Sequence, residues 1–479
     1  MSSVWGSVMS KYVHIDMKGG PPTLTYLVEL LEVMAEWGAD GVVVEWEDMF
    51  PWSGELSVLA RPGHFTLDMV SSLLDHAARL HLKVIPLIQT FGHMEFVLKH
   101  EKFRHLRQLA NVPNCVRPLS LDTETREVRT LLAEMVRQVT AAHPGLSRLH
   151  IGCDEVWCLG QSDRARHHME KLGLTATDLY LDHVSGVCDL ARQMVAGLRV
   201  LVWDDMMRSA SLAQLSRLEV EPVVWSYGQV SLPPGLLARY HQVWPGSVWA
   251  ASAWRGATGP AVAATTVSRH LENHLSWLGV EAEGEIRGET TSMAGIIMTG
   301  WARYDHYAAH CELLPASLPS LAACLAVLKT RAWTEATHRE VSVKLGLSEP
   351  LMLEPYMFLA GKEAEVPRFP GSSIYSGVMT YIRLASQYQA VMNSAEMATW
   401  LNPWQLKKGF LNPLQVQPTV QELNRLHHSL KLLSGVMEKD LTHYLHDFTA
   451  EEWINTNISP KIENIESILS QVLPQPQLS

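Results

Sequence analysis

The chain has 479 residues, of which 47% are hydrophobic and only 19% charged, so it can bury a large core and is not an intrinsically disordered protein. Its 39 basic and 50 acidic residues give a net charge of −11 with no long basic run, so no nucleic-acid partner is expected. Met1 to Ser10 lacks the apolar core of a signal peptide and no apolar stretch reaches the roughly 18 residues of a membrane span, which predicts an intracellular protein with no membrane association.

Eight β-type segments follow one another, each succeeded by helix-like sequence: Tyr12–Met17, Gly41–Glu47, Lys83–Gln89, Arg148–Gly152, Leu198–Trp203, Pro222–Ser226, Val248–Ser252 and Gly295–Gly300. Between the first two, Leu27, Leu30, Leu31, Met34 and Trp37 recur at helical spacing and stop at Gly38. Thr66–Leu82 and Glu124–Ala142 show the same periodicity. Ser276–Ser292, with Glu281, Glu283, Glu285 and Glu289, is expected to be a solvated loop. Eight β-α units predict a (β/α)8 TIM barrel over residues 11–335. No Gly-x-Gly-x-x-Gly turn follows the first strand, which speaks against a dinucleotide fold. Past about residue 335, Ser373–Leu401, Thr419–Leu441 and Glu451–Val472 read as helices, so residues 336–479 form a helical C-terminal region. A homodimer is compatible with that region, though nothing in it requires one.

In a barrel of this kind the chemistry gathers where the strands end. Asp16, Glu47, Asp48, His93, Asp154, Glu155, Trp203, Asp204, Trp225, Trp254, Trp301 and Tyr304 all follow or close a predicted strand. The richest segment is His150-Ile151-Gly152-Cys153-Asp154-Glu155-Val156-Trp157. Neighbours on an ideal strand point to opposite faces, so Asp154 and Glu155 share a pocket only if the strand has ended by Gly152. Each tryptophan alone could be core filling. Together, acids among tryptophans suit a sugar, which offers C–H faces to indoles and hydroxyls to carboxylates. Two acids that cleave a glycoside by the usual scheme flank the bond about 5 Å or roughly 6.5 to 9.5 Å apart, which adjacent residues cannot do. One carboxyl can instead protonate the leaving oxygen while its neighbour orients a nucleophile that belongs to the substrate.

Six cysteines, Cys115, Cys153, Cys158, Cys188, Cys311 and Cys324, are too sparse for a disulfide framework and are expected to be free thiols. Cys153, Cys158 and His150 lack paired metal-ligand spacing, so no metal is expected.

The octapeptide resembles the His-x-Gly-Gly-Asp-Glu motif of glycoside hydrolase family 20, the β-N-acetylhexosaminidases. Gln89-Thr90-Phe91-Gly92-His93 is similar to that family's Asp-Thr-Pro-Gly-His, and Val202-Trp203, Val224-Trp225 and Gly300-Trp301 fall where it has pocket tryptophans. The resemblance spans the barrel. It implies that Glu155 is the general acid and later base, that Asp154 holds the acetamido N–H, that His93 supports them, and that Trp203, Trp225 and Trp301 wall the sugar. It also implies a raised pKa at Glu155, so that this group is protonated near neutral pH.

The chain departs from the family pattern at several positions. Cys153 replaces the second glycine, and Gln89 replaces an aspartate. The arginine after strand one is missing from Asp16-Met17-Lys18-Gly19-Gly20-Pro21, where Asp16 or Lys18 could take its role. The tyrosine after strand seven is absent from Ser252-Ala253-Trp254-Arg255-Gly256, with Tyr304 or Tyr227 as substitutes. Such departures occur together in one branch of the family, which Glu45-Trp46-Glu47-Asp48-Met49-Phe50-Pro51 and Gly300-Trp301-Ala302-Arg303-Tyr304-Asp305-His306 also resemble. That branch implies a nucleocytoplasmic exo-enzyme acting on glycans or glycoconjugates with terminal β-linked GalNAc or GlcNAc, without metal or organic cofactor. Two other readings remain at this point: a carbohydrate-binding barrel with little or no catalysis, and a metal-dependent barrel hydrolase using Cys153, Cys158 and nearby histidines.

Overall fold

A computed structural model of the protein describes residues 9–287, 290–355 and 367–472. Eight strands form the barrel: β1 (Ser10–Asp16), β2 (Gly41–Glu45), β3 (Lys83–Leu87), β4 (Arg148–His150), β5 (Arg199–Trp203), β6 (Glu221–Trp225), β7 (Trp249–Arg255) and β8 (Gly295–Gly300). They pair in parallel in sequence order, and β8 closes on β1 with Lys11 opposite Ile296. This is a (β/α)8 TIM barrel. All eight segments expected from the sequence are strands, because strands covered on both faces read as apolar, β-branched runs.

Side-chain parity divides the strands into two layers. Tyr12, Val43, Ile85, Leu87, Leu201, Trp203, Val223, Trp249, Ala251 and Ile297 point inward and fill the barrel. Val13, Ile15, Val42, Val44, Val200, Val202 and Trp254 point outward into the layer shared with the helices. The helix Leu24–Glu36 begins at Thr23, whose hydroxyl accepts the Tyr26 N–H, and it buries Leu27, Leu30, Leu31 and Met34. Thr66 caps Leu67–Arg79 in the same way.

Two features depart from the sequence expectation. The stretch from Ser276 lies largely within a helix, Val267–Arg287, and residues 288–289 lie outside the described residues. Its glutamates and glycines suggest a loop, but its preceding turns dock it on the barrel: Asn273 Oδ1 accepts the Ala253 N–H at 3.1 Å, and the Trp277 indole donates to Ser226 O at 3.2 Å. An antiparallel hairpin, Arg107–Leu109 with Val112–Val116, also lies between β3 and β4.

The C-terminal region is helical. Its longest helix, Pro413–Tyr444, buries Leu423, Leu426, Leu430, Leu433, Met437 and Leu441 at spacings of three and four. The following helix, Asp447–Asn457, braces two barrel loops. Glu452 accepts from Arg303 Nη2 at 2.5 Å and from the His310 N–H at 3.0 Å, while Thr449 donates to Gly19 O at 3.2 Å. The helices thus hold the loops after β1 and β8, where these approach the cavity described next.

Candidate active site

An open cavity, about 720 Å³ with the solvent space at its mouth included, lies at the C-terminal ends of the strands, where barrel enzymes keep their chemistry. Its lining comes from the loops after β1, β3, β4, β6, β7 and β8. At its centre β4 ends at His150, and the backbone turns sharply through left-handed residues Gly152 (φ 67°), Cys153 (φ 71°) and Glu155 (φ 49°). This turn puts adjacent Asp154 and Glu155 on one wall. Glycine suits position 152, since a side chain there would be strained at φ 67° and its Cβ would displace Gln89 Oε1, 1.9 Å away. Cys153 adopts the left-handed conformation despite its side chain, at a cost of about 1–2 kcal/mol. Its thiol is held by Thr90 Oγ1 at 3.2 Å and Ile151 O at 3.4 Å. The β3 loop packs flat on this turn because Gly92 lacks a Cβ, which would meet Asp154 O at 1.9 Å.

His93 joins the two acids. Its Nε2 lies 3.5 Å from Asp154 Oδ2 and 3.3 Å from Glu155 Oε2. Burial disfavours its charge, but the Asp154 carboxylate and the hydrogen bond to Glu155 prevail and raise its pKa to about 10. Burial pushes Asp154 up to about 7, with His93 opposing and the charge of Asp205 adding to the rise. Glu155 is lowered, chiefly by its hydrogen bond with His93, against partial burial and with help from the Trp157 indole. The expected raised value at Glu155 is therefore not what the protein alone shows. Half-exposed and bonded to a cationic imidazole, Glu155 holds its charge while deeper Asp154 bears the cost of burial.

Two indoles wall the cavity. Trp225 stacks on Tyr227, with ring centroids 5.2 Å apart and planes inclined by 22°. Its Nε1 donates to Asp205 Oδ1 at 3.3 Å, and the Arg208 guanidinium sits 5.1 Å over its ring. Trp301 packs edge-on against His14 at 4.7 Å. Lys18 Nζ lies 5.8 Å from the Trp301 ring, 3.4 Å from Glu47 Oε1 and 3.8 Å from Asp16 Oδ2. Tyr227 lies deep, beside Thr299 and Trp301, whereas Tyr304 stands 43% exposed at the rim.

Of the residues expected from the sequence, Asp154, Glu155, His93, Trp225, Trp301 and Tyr304 line the cavity together. Asp16, Glu47, Asp48, Trp203 and Trp254 lie outside that lining. Asp16 is fully buried and spends its oxygens on the Lys18 N–H at 2.8 Å and the Ala302 N–H at 2.9 Å. Glu47 accepts from His306 Nε2 at 2.6 Å, and Asp48 pairs with Lys99 at 3.5 Å. Glu47 and Asp48 thus hold His306 and Lys99 behind the wall. Trp203 points into the barrel beneath the cavity, its ring 6.1 Å from that of Trp301. Trp254 has the opposite parity and packs in the helix layer against Gly300.

Lys18, Gln89, Tyr227 and Arg303 also line the cavity. Lys18 and Tyr227 are substitutes already suggested by the missing arginine and tyrosine, while Arg303 is not foreseeable from its position alone. Asp205 is a second such residue. It accepts the Glu155 N–H at 3.0 Å and the Trp225 indole, tying acid to wall. Its only sequence signal is the Asp-Asp pair after Trp203.

Cys153, Cys158 and His150 do not converge: Cys158 is hydrogen-bonded to Cys115, and His150 Nδ1 accepts the Gly152 N–H. Among the described residues no group of three or more His, Cys, Asp or Glu side chains is arranged to hold a metal ion. No helix among them is long and apolar enough to cross a membrane.

Comparison with known proteins identifies the family. The glycosyl hydrolase family 20 catalytic domain matches residues 43–233. Hexosaminidase D of Homo sapiens is 36% identical over 475 residues, covering 96% of this chain and 94% of that protein. The chain belongs to glycoside hydrolase family 20. Hexosaminidase D of Bos taurus is 40% identical over 345 residues, which is 71% of this chain and 97% of that protein. Among solved members of family 20, the Vibrio harveyi exo β-N-acetylglucosaminidase in complex with N-acetylglucosamine shares the fold with TM-score 0.51 at 16% identity, over 71% of this chain and 57% of that one. The Bacteroides fragilis β-N-acetylhexosaminidase has TM-score 0.52 at 13% identity, over 71% and 70% of the two chains.

Proposed function

We propose that this chain is a retaining exo-β-N-acetylhexosaminidase that removes terminal non-reducing β-linked GalNAc or GlcNAc from glycans or glycoconjugates, with the substrate's own 2-acetamido oxygen as nucleophile. The observation that carries this reading is the pair of adjacent carboxylates, bridged by one imidazole, on one wall of an indole-lined cavity. Two carboxylates so close cannot sit on either side of a glycosidic bond, so the nucleophile must come from elsewhere.

Each group then has one task. Glu155 protonates the glycosidic oxygen as the acetamido oxygen attacks the anomeric carbon. Asp154 accepts the acetamido N–H and offsets the positive charge of the oxazolinium ion. Water then opens this ion, Glu155 takes the water's proton, and the sugar leaves with its original configuration. Glu155 begins ionised, yet its proton is one hydrogen bond away on His93, 3.3 Å distant. A sugar that covers Glu155 strips its remaining water, raises its proton affinity and draws that proton across. The transfer leaves His93 neutral, so the Asp154 carboxylate, which the His93 charge had favoured, takes the forming oxazolinium ion as its partner. Trp225, Trp301 and Tyr227 exclude water from the acetamido group, and Lys18, fixed by Glu47 and Asp16, is placed to donate to sugar hydroxyls.

A cytoplasmic and nuclear setting goes with this reading. Cys115, Cys153, Cys158, Cys188, Cys311 and Cys324 are all free and buried, as suits a reducing compartment.

The stereochemistry is directly measurable. Proton NMR during hydrolysis of a β-N-acetylhexosaminide should show the β-anomer of the free sugar first, with the α-anomer growing in by mutarotation. The α-anomer appearing first would overturn the mechanism, and sugar binding without turnover would favour a carbohydrate-binding barrel instead.

A further inference from the structure

Trp157 stands out on the acid-bearing turn. Its neighbours Val156 and Cys158 are buried, yet its indole is 68% exposed. Its backbone is nevertheless fixed: the Trp157 N–H donates to Glu155 O at 2.8 Å and Gln161 Nε2 donates to Trp157 O at 2.7 Å, while the side chain lies beside the Glu155 carboxylate and helps keep it ionised. An indole held in water against a carboxylate makes no contribution to the core, which leaves its face available to a ligand.

The position of that face follows from the proposed reaction, on which this inference rests. Glu155 must reach the glycosidic oxygen, the atom that joins the released hexosamine to the rest of the substrate. The hexosamine occupies the side closed by Trp225, Tyr227 and Trp301. The remainder of the substrate must therefore leave on the open side of Glu155, where Trp157 stands. We propose that Trp157 is the platform for the penultimate residue of the substrate, and that this residue is a pyranose sugar. An exposed aromatic face pairs with the C–H face of such a ring while the ring's hydroxyls stay in water. Trp157 is the one exposed large hydrophobic side chain among the described residues of the acid-bearing turn from 150 to 161, and the sequence after it turns charged at Asp163, Arg164 and Arg166. A lipid aglycone would need a contiguous apolar patch of a few hundred Å² instead.

The test compares two substrates that need the same protonation: a disaccharide with terminal β-linked N-acetylhexosamine on a hexose, and the methyl β-glycoside of the same N-acetylhexosamine. Trp157→Ala disturbs the hydrogen bond to Glu155 for both, so the ratio of their kcat/KM values isolates the platform. The ratio of disaccharide to methyl glycoside should fall about tenfold in Trp157→Ala, and Trp157→Phe, which keeps a ring but lacks the N–H, should restore most of it. Equal losses on both substrates would overturn the platform and leave Trp157 as a positioning residue for Glu155. An unchanged ratio with no loss would overturn it as well. If the wild-type protein hydrolyses neither substrate, the proposed reaction itself fails and the platform falls with it.

Discussion

Glu155→Gln is expected to lower kcat/KM on an alkyl or sugar β-N-acetylhexosaminide by on the order of 10²-fold or more, because it removes the general acid while keeping the shape of the side chain. The loss should be confined to protonation. Glutamine can still contact His93, which sits 3.3 Å from the present carboxylate, and Asp205 would still accept the backbone N–H of residue 155 at 3.0 Å. A substrate whose leaving group needs no proton, such as a dinitrophenyl glycoside, should therefore lose much less in the first step. The comparison is made by steady-state rates on both substrates. A loss of no more than about twofold on the alkyl substrate would remove Glu155 from the acid's role.

Asp154→Asn is expected to lower kcat by on the order of 10²- to 10³-fold, since a fixed charge aimed at a developing cation contributes most at the transition state. The substitution should also change the pH profile. Burial raises Asp154 to about 7, so the group is neutral below that pH and ionised above it. The carboxylate must be ionised to offset the positive charge of the oxazolinium ion, so wild-type kcat/KM should fall as pH drops through about 7. At the other end, activity should fall as His93 loses its proton near 10. Asparagine cannot titrate, so the acid limb should vanish in Asp154→Asn, and the alkaline limb should move to lower pH because the Asp154 charge that raises His93 is gone. A pH series of kcat/KM for both proteins checks this, and an identical acid limb in the variant would assign the titration to another group.

The sequence carried the barrel because a parallel sheet covered on both faces leaves continuous apolar strands, and Gly41–Glu45 or Gly295–Gly300 can be read from that pattern alone. It also carried the acid turn, since Gly152 before two carboxylates signals a strand that has ended. What it could not supply was the direction of each side chain at a strand's end. Trp203 and Trp254 sit near such ends, but parity sends the first under the cavity and the second into the helix layer. Asp16, Glu47 and Asp48 look like sugar-gripping acids in one dimension, whereas in three Asp16 and Glu47 pair with Lys18, Glu47 hydrogen-bonds His306, and Asp48 pairs with Lys99. Asp205 was illegible for the converse reason, because its importance lies in contacts to residues 155 and 225, distant in sequence. The distribution of protons was also hidden. Burial relative to His93 decides it, and Asp154, not Glu155, lies deeper.

The central claim is that the substrate's acetamido group is the nucleophile, and a fused thiazoline analogue of the N-acetylhexosamine tests it most directly because it mimics the cyclic intermediate with a stable ring. The measurement is its inhibition constant beside that of free N-acetylhexosamine. The mechanism predicts binding tighter than the free sugar by about 10²-fold or more, with much of the advantage lost in Asp154→Asn. A thiazoline that inhibits no better than the free sugar would contradict participation by the acetamido group.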